Sequence, residues 1–83
     1  LFDRGLAPEE VEKLSATLSD ARRGNDGRWV LTLEDGAVWR QIDDQSLLRN
    51  PKAGSQVKIR KAAMGSFFIN VDGQIAFRAS RSR

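Results

Sequence analysis

Residues 31–41 read LTLEDGAVWRQ, and residues 66–77 read SFFINVDGQIAF. Each stretch sets an Asp-Gly pair between apolar residues that alternate with others. Alternation at period two marks a strand with one face buried. Asp-Gly supplies the backbone that reverses such a strand within two or three residues. A third turn cluster, Gly24-Asn25-Asp26-Gly27, leads into RWVLTLE with the same logic. A chain punctuated in this way is expected to fold as antiparallel hairpins.

Side-chain chemistry selects the register of the first hairpin. A three-residue loop at Glu34-Asp35-Gly36 pairs Leu33 with Ala37 and Leu31 with Trp39, placing Trp29, Leu31, Leu33, Ala37 and Trp39 on one face. A two-residue loop would bring Arg40 to that face, and an unpaired buried guanidinium is costly. Trp39 is therefore expected inside, Arg40 outside, and Gln41 inside near the end of the sheet, where its amide needs a partner. The same loop applied to Val71-Asp72-Gly73 would set Ile69 opposite Ile75 and Phe67 opposite Phe77. QVKIRKA, residues 56–62, directs Val57 and Ile59 inward and Lys58 and Arg60 outward. SFFINV, residues 66–71, and QIAFRAS, residues 74–80, complete the strands. The predicted core is Trp29, Leu31, Leu33, Val57, Ile59, Phe67, Ile69, Ile75 and Phe77, with Trp39 mostly buried.

Residues 11–21 admit two periodicities. Val11, Leu14, Leu18 and Ala21 form a helical stripe; Leu14, Ala16 and Leu18 alternate as a strand does. Pro8-Glu9-Glu10 has the residue types of a helix start. The tight turn at 24–27 favours one helical turn at 8–12 followed by a strand at about 13–22. Residues 43–55 read as a loop, with Leu47-Leu48 tucked against the core.

With 83 residues the chain is one domain at most. The expected division is a tail or linker at 1–7, one barrel domain at 8–80 and a basic tail at 81–83. Five or six short strands in so small a chain point to a sheet closed on itself, since closure removes aggregation-prone edges. The expected fold is all-β: a small five- to six-stranded SH3-like (or OB-like) barrel with a short N-terminal helical turn.

Four segments carry a resemblance: Asp26 to Trp29, Leu33 to Gln41, Val57 to Arg60 and Gly65 to Phe67. Together they resemble small, mostly uncharacterised proteobacterial proteins, often exported, with a DGRW…TLEDGxVWRQ…GSF pattern. The resemblance covers roughly residues 13–78. It implies a small β-barrel and an envelope location, and it brings no activity or catalytic residues.

The composition argues against several chemistries. There is no Cys and no His, so thiol chemistry and imidazole-based metal binding or general base work have no residues to use. Asp43-Asp44 has no third ligand or base nearby in sequence. The seven glycines are scattered among turns rather than gathered in a phosphate loop. No cofactor is expected, and no apolar run is long enough for a transmembrane helix.

Charge is uneven. Residues 1–41 carry six basic and eight acidic side chains, and residues 42–83 carry eight basic and three acidic. The candidate surface for an anionic partner is Lys58, Arg60, Lys61, Phe68 and Arg78, with Arg81 and Arg83 alongside. The competing account makes these charges solvated edge protection. The functional expectation is a non-catalytic interaction or structural module. It would bind a protein or peptide, or another copy of itself. The alternative is nucleic acid or another polyanion bound through the basic face.

Overall fold

The computed structural model of the protein describes residues 13–82. The expected tail at 1–7 and helical turn at 8–12 lie outside the described residues, as does Arg83. Six strands follow one another: β1 Lys13–Arg23, β2 Trp29–Leu33, β3 Val38–Gln41, β4 Gln56–Lys61, β5 Phe67–Val71 and β6 Phe77–Arg81. A 3-10 turn, Ala63–Gly65, joins β4 to β5. Every pairing is antiparallel, and the strands close into a barrel in the order β1-β2-β3-β6-β5-β4. The all-β barrel expected from the turn chemistry is the observed fold. Arg81, assigned from sequence to the tail, is the last residue of β6 and pairs with Trp39.

The first strand belongs to both halves of the barrel. Residues Lys13 to Thr17 pair with β4, and residues Leu18 to Arg23 pair with β2. An irregularity between Leu18 and Asp20 separates these stretches, leaving Ser19 as the extra residue. Its hydroxyl lies 3.3 Å from the carbonyls of both Thr32 and Leu33. A bulge shifts the alternation by one. Leu14, Ala16 and Leu18 face the core before it, and Ala21 faces the core after it.

Thirteen residues form the core cluster, from all six strands and the first hairpin turn: Leu18, Trp29, Leu31, Leu33, Ala37, Trp39, Val57, Ile59, Phe67, Ile69, Val71, Phe77 and Ala79. Eight of the nine predicted core residues are among them, and Trp39 is buried as expected. The ninth, Ile75, is 62% exposed. The two Asp-Gly turns differ, and that difference expels it. In the first hairpin Gly36 N–H donates to Leu33 O at 2.9 Å, Gly36 has φ +93°, and Leu31 pairs with Trp39, as the three-residue loop requires. In the second, Asp72 and Gly73 both have positive φ, +51° and +74°, and Gln74 N–H donates to Val71 O at 3.0 Å. That is a two-residue turn of the primed kind. Asn70 Nδ2 then donates to Gln74 O at 2.8 Å, and the chain rejoins the sheet only at Phe77. Ile69 pairs with Phe77 and Phe67 with Ala79, two residues beyond the expected register.

The 42–55 loop is pinned by Gln41, which is buried as predicted. Its Oε1 accepts from Trp29 N–H at 3.1 Å; its Nε2 donates to Asp43 Oδ1 at 3.1 Å and to Gln45 O at 2.9 Å. Leu47 packs against the core as expected, but Leu48 is 97% exposed. Successive side chains diverge, and only one of the pair reaches the core.

Candidate anion-binding face

Antiparallel pairing sets directly opposed side chains on the same side of a sheet. The register therefore builds a row across the outer wall. Lys13 of β1 opposes Arg60 of β4, Arg60 opposes Phe68 of β5, and Phe68 opposes Arg78 of β6. Ile42, whose N–H donates to Arg78 O at 2.9 Å, extends the row beyond β6. One step along β4, Lys58 lies between Ser15 and Asn70. Arg60, Arg78 and Lys58 are exposed, and Phe68 is half-buried.

Phe68 organises the row. The guanidinium carbon of Arg60 lies 4.8 Å from its ring centroid and that of Arg78 lies 4.9 Å away. The two arginines come from the strands on either side of β5, so the ring is contacted by a guanidinium from each neighbouring strand. Each such contact is worth about 0.5–1 kcal/mol at an exposed site. The contact also restricts where the donors can point. Arg78 is fixed further: its Nη1 donates to Ser66 Oγ at 2.8 Å, and Ser66 Oγ in turn donates to Ala63 O at 2.8 Å. The backbone N–H of Arg78 donates to Asp43 Oδ2 at 3.0 Å. Among the described residues, no carboxylate side chain pairs with Lys58, Arg60 or Arg78; the ion pairs are Arg28–Asp44 at 3.2 Å and Arg40–Asp26 at 3.9 Å.

The sequence-derived patch thus assembles in part. Lys58, Arg60, Phe68 and Arg78 share one face. Lys61 does not: it opposes Phe67, a core residue, because adjacent residues on a strand project to opposite sides. Arg81 likewise has the inward orientation, with its guanidinium carbon 5.9 Å from the Trp39 centroid. Lys13 and Ser66 belong to the site but were not legible as such, since their roles arise from partners 47 and 12 residues away.

One concavity adjoins this row. A groove of about 380 Å³ is lined by Ser15, Gln56, Val57, Lys58, Asn70 and Gly73. It therefore lies on the same wall, beside the stacked arginines. A smaller crevice of about 210 Å³ lies between the 24–28 turn and the 43–47 segment. Its carboxylates are engaged: Asp43 accepts from Gln41, Gln45 and Arg78, and Asp44 pairs with Arg28. Asp26 is held below its ordinary pKa by the Arg28 backbone N–H and by the charges of Arg28 and Arg40. Asp43 and Asp44 act as loop braces. No group of three His, Cys, Asp or Glu side chains that could hold a metal ion occurs among the described residues. None of their helices is long and apolar enough to cross a membrane.

No protein-family model matches this chain, and no match to a curated protein or a solved structure was found.

Proposed function

We propose that this domain is a non-catalytic interaction module that meets an anionic partner on the outer wall of β4, β5 and β6. The observation that carries this reading is the Arg60–Phe68–Arg78 stack. Two guanidiniums are held in place by one half-buried ring, and neither is neutralised by a side-chain carboxylate among the described residues. Solubility alone asks for charge at the surface; it does not ask for arginines ordered against an aromatic and a hydroxyl. Lys58 and Lys13 add to the same positive field. The proposal includes an SH3-like or OB-like barrel, as in domains that use a strand face or its loops for ligands. It also includes membership of the small, often exported proteobacterial barrel proteins that the four sequence segments resemble.

The test is the double variant Lys58→Glu with Arg60→Glu. Both positions are exposed, so the fold is expected to shift by no more than about 0.5 kcal/mol for each. Wild type is expected to be retained on polyanionic resins (polyglutamate, heparin) and to elute as salt rises, with the variant passing through. Equal retention of a folded variant would leave these residues as solvated surface and refute the proposal.

A further inference from the structure

We infer that the occupant of this face is an acidic, extended protein segment, with an apolar side chain in the groove beside Lys58 and carboxylates on Arg60 and Arg78. The inference rests on the anionic-partner reading and narrows it.

Three observations select a peptide over a nucleic acid. First, single-stranded nucleic acids bind barrel walls by stacking bases on exposed aromatic rings, usually several. Among the described residues Phe68 is the sole aromatic on the outer wall; Trp29, Trp39, Phe67 and Phe77 are buried. Phe68 already carries two guanidinium contacts, at 4.8 and 4.9 Å from its ring centroid, so a base stacking there would have to compete with them. Second, those guanidiniums present planar N–H edges, the geometry that binds a carboxylate through two parallel hydrogen bonds. Arg60 uses none of its side-chain donors within the described structure, whereas Arg78 has one committed to Ser66. Third, the neighbouring groove, bounded by Ser15, Gln56, Lys58, Asn70 and Gly73, exposes mostly apolar surface, and a nucleic acid backbone brings nothing apolar to such a place. An extended peptide does, because its side chains alternate. Barrel closure fixes the binding mode as well. On this wall β4 and β5 are each paired on both sides, so an incoming segment has no edge there to extend; it lies across the wall and is held by side chains.

The experiment titrates the full 83-residue chain with three fluorescent probes at fixed low salt: a peptide alternating Glu with Val, an all-Glu peptide of equal charge, and a single-stranded oligonucleotide of equal charge. The alternating peptide is expected to bind about tenfold more tightly than the all-Glu peptide, the order expected from burying one aliphatic side chain. Ser15→Trp, which fills the groove from an exposed position, should remove that preference and leave all-Glu binding unchanged. If it fails to fold, Ser15→Phe serves instead. Arg60→Gln with Arg78→Gln should weaken both peptides. Equal affinity for the two peptides, or oligonucleotide binding stronger than either, overturns the inference and leaves the anionic face standing. Binding of none of the three overturns both.

Discussion

Trp39 is the largest fully buried side chain, 1% exposed, with its ring edge-on to Phe67 at a centroid distance of 4.9 Å. Its Nε1 is buried and has no hydrogen-bond partner. An unpaired buried donor costs about 1–3 kcal/mol relative to a bonded one. Trp39→Phe keeps an aromatic ring on the same Cβ and removes that donor. It also gives up part of the indole's packing. Truncating Trp to Ala costs about 3–5 kcal/mol, and losing the smaller part of the ring system forfeits roughly a third of that, about 1–1.5 kcal/mol. The two effects oppose each other and are similar in size. Trp39→Phe is therefore expected within about 1 kcal/mol of wild type, while Trp39→Ala loses about 3–5 kcal/mol, a large part of the ~5–15 kcal/mol of a typical domain. Urea unfolding followed by far-UV circular dichroism measures both variants without relying on the altered fluorescence, and Trp29 remains as a local reporter. A Trp39→Phe loss of about 3 kcal/mol or more would refute the reasoning. It would mean that Nε1 is bonded in the folded protein.

Gly36→Ala meets open space, since a Cβ there has nothing within 4 Å, so its expected loss of about 1–2 kcal/mol is purely the cost of left-handed backbone at φ +93°; a melting temperature equal to wild type would count against the turn assignment. Gln41→Leu removes the acceptor of Trp29 N–H and both donors to the 43–45 segment, and is expected to cost about 1–3 kcal/mol with faster amide exchange at Trp29. Asp72 is held below its ordinary value of 3.8, chiefly by the Gln56 N–H donating to its carboxylate, then by Ser55 and by the charges of Arg49 and Lys52. A depressed folded pKa contributes stability above the unfolded value and loses it as pH falls through the folded one. Wild type should therefore lose more stability than Asp72→Asn on acidification below about pH 4, and parallel acid-unfolding curves would show that Asp72 contributes nothing to this dependence.

The sequence disclosed most where period and turn agree. The first hairpin was legible because Arg40 made the wrong register expensive. The second was not, because both registers keep Phe77 inward and the choice rests on Asp72 accepting positive φ and on Asn70 capturing the Gln74 carbonyl. The helical reading of 14, 18 and 21 has a physical source: strand alternation interrupted by one extra residue gives the same spacing. Leu14 and Leu18 lie inside, and the Ser19 bulge then moves the next inward position from 20 to 21. At the candidate site, alternation placed Lys58, Arg60 and Phe68 correctly, and the same rule shows why Lys61 does not belong. That the ring is already capped by Arg60 and Arg78 depends on cross-strand distances, which no single strand's pattern contains.

The strand order has a consequence for how the molecule can be divided. The chain is two three-stranded meanders, β1-β2-β3 and β4-β5-β6, stitched together where β1 meets β4 and β3 meets β6. Among the described residues, one covalent link joins them: the 42–55 loop, with Leu48 and Arg49 exposed within it. A proteolytic nick there would leave every strand pairing intact and convert an intramolecular closure into a docking of two peptides. Each half alone has two bare sheet edges that the other half satisfies. The two pieces should therefore reassemble as a heterodimer with concentration-dependent stability. The chain can be regarded as a tethered dimer of unlike halves, with its stacked arginines carried wholly by one of them.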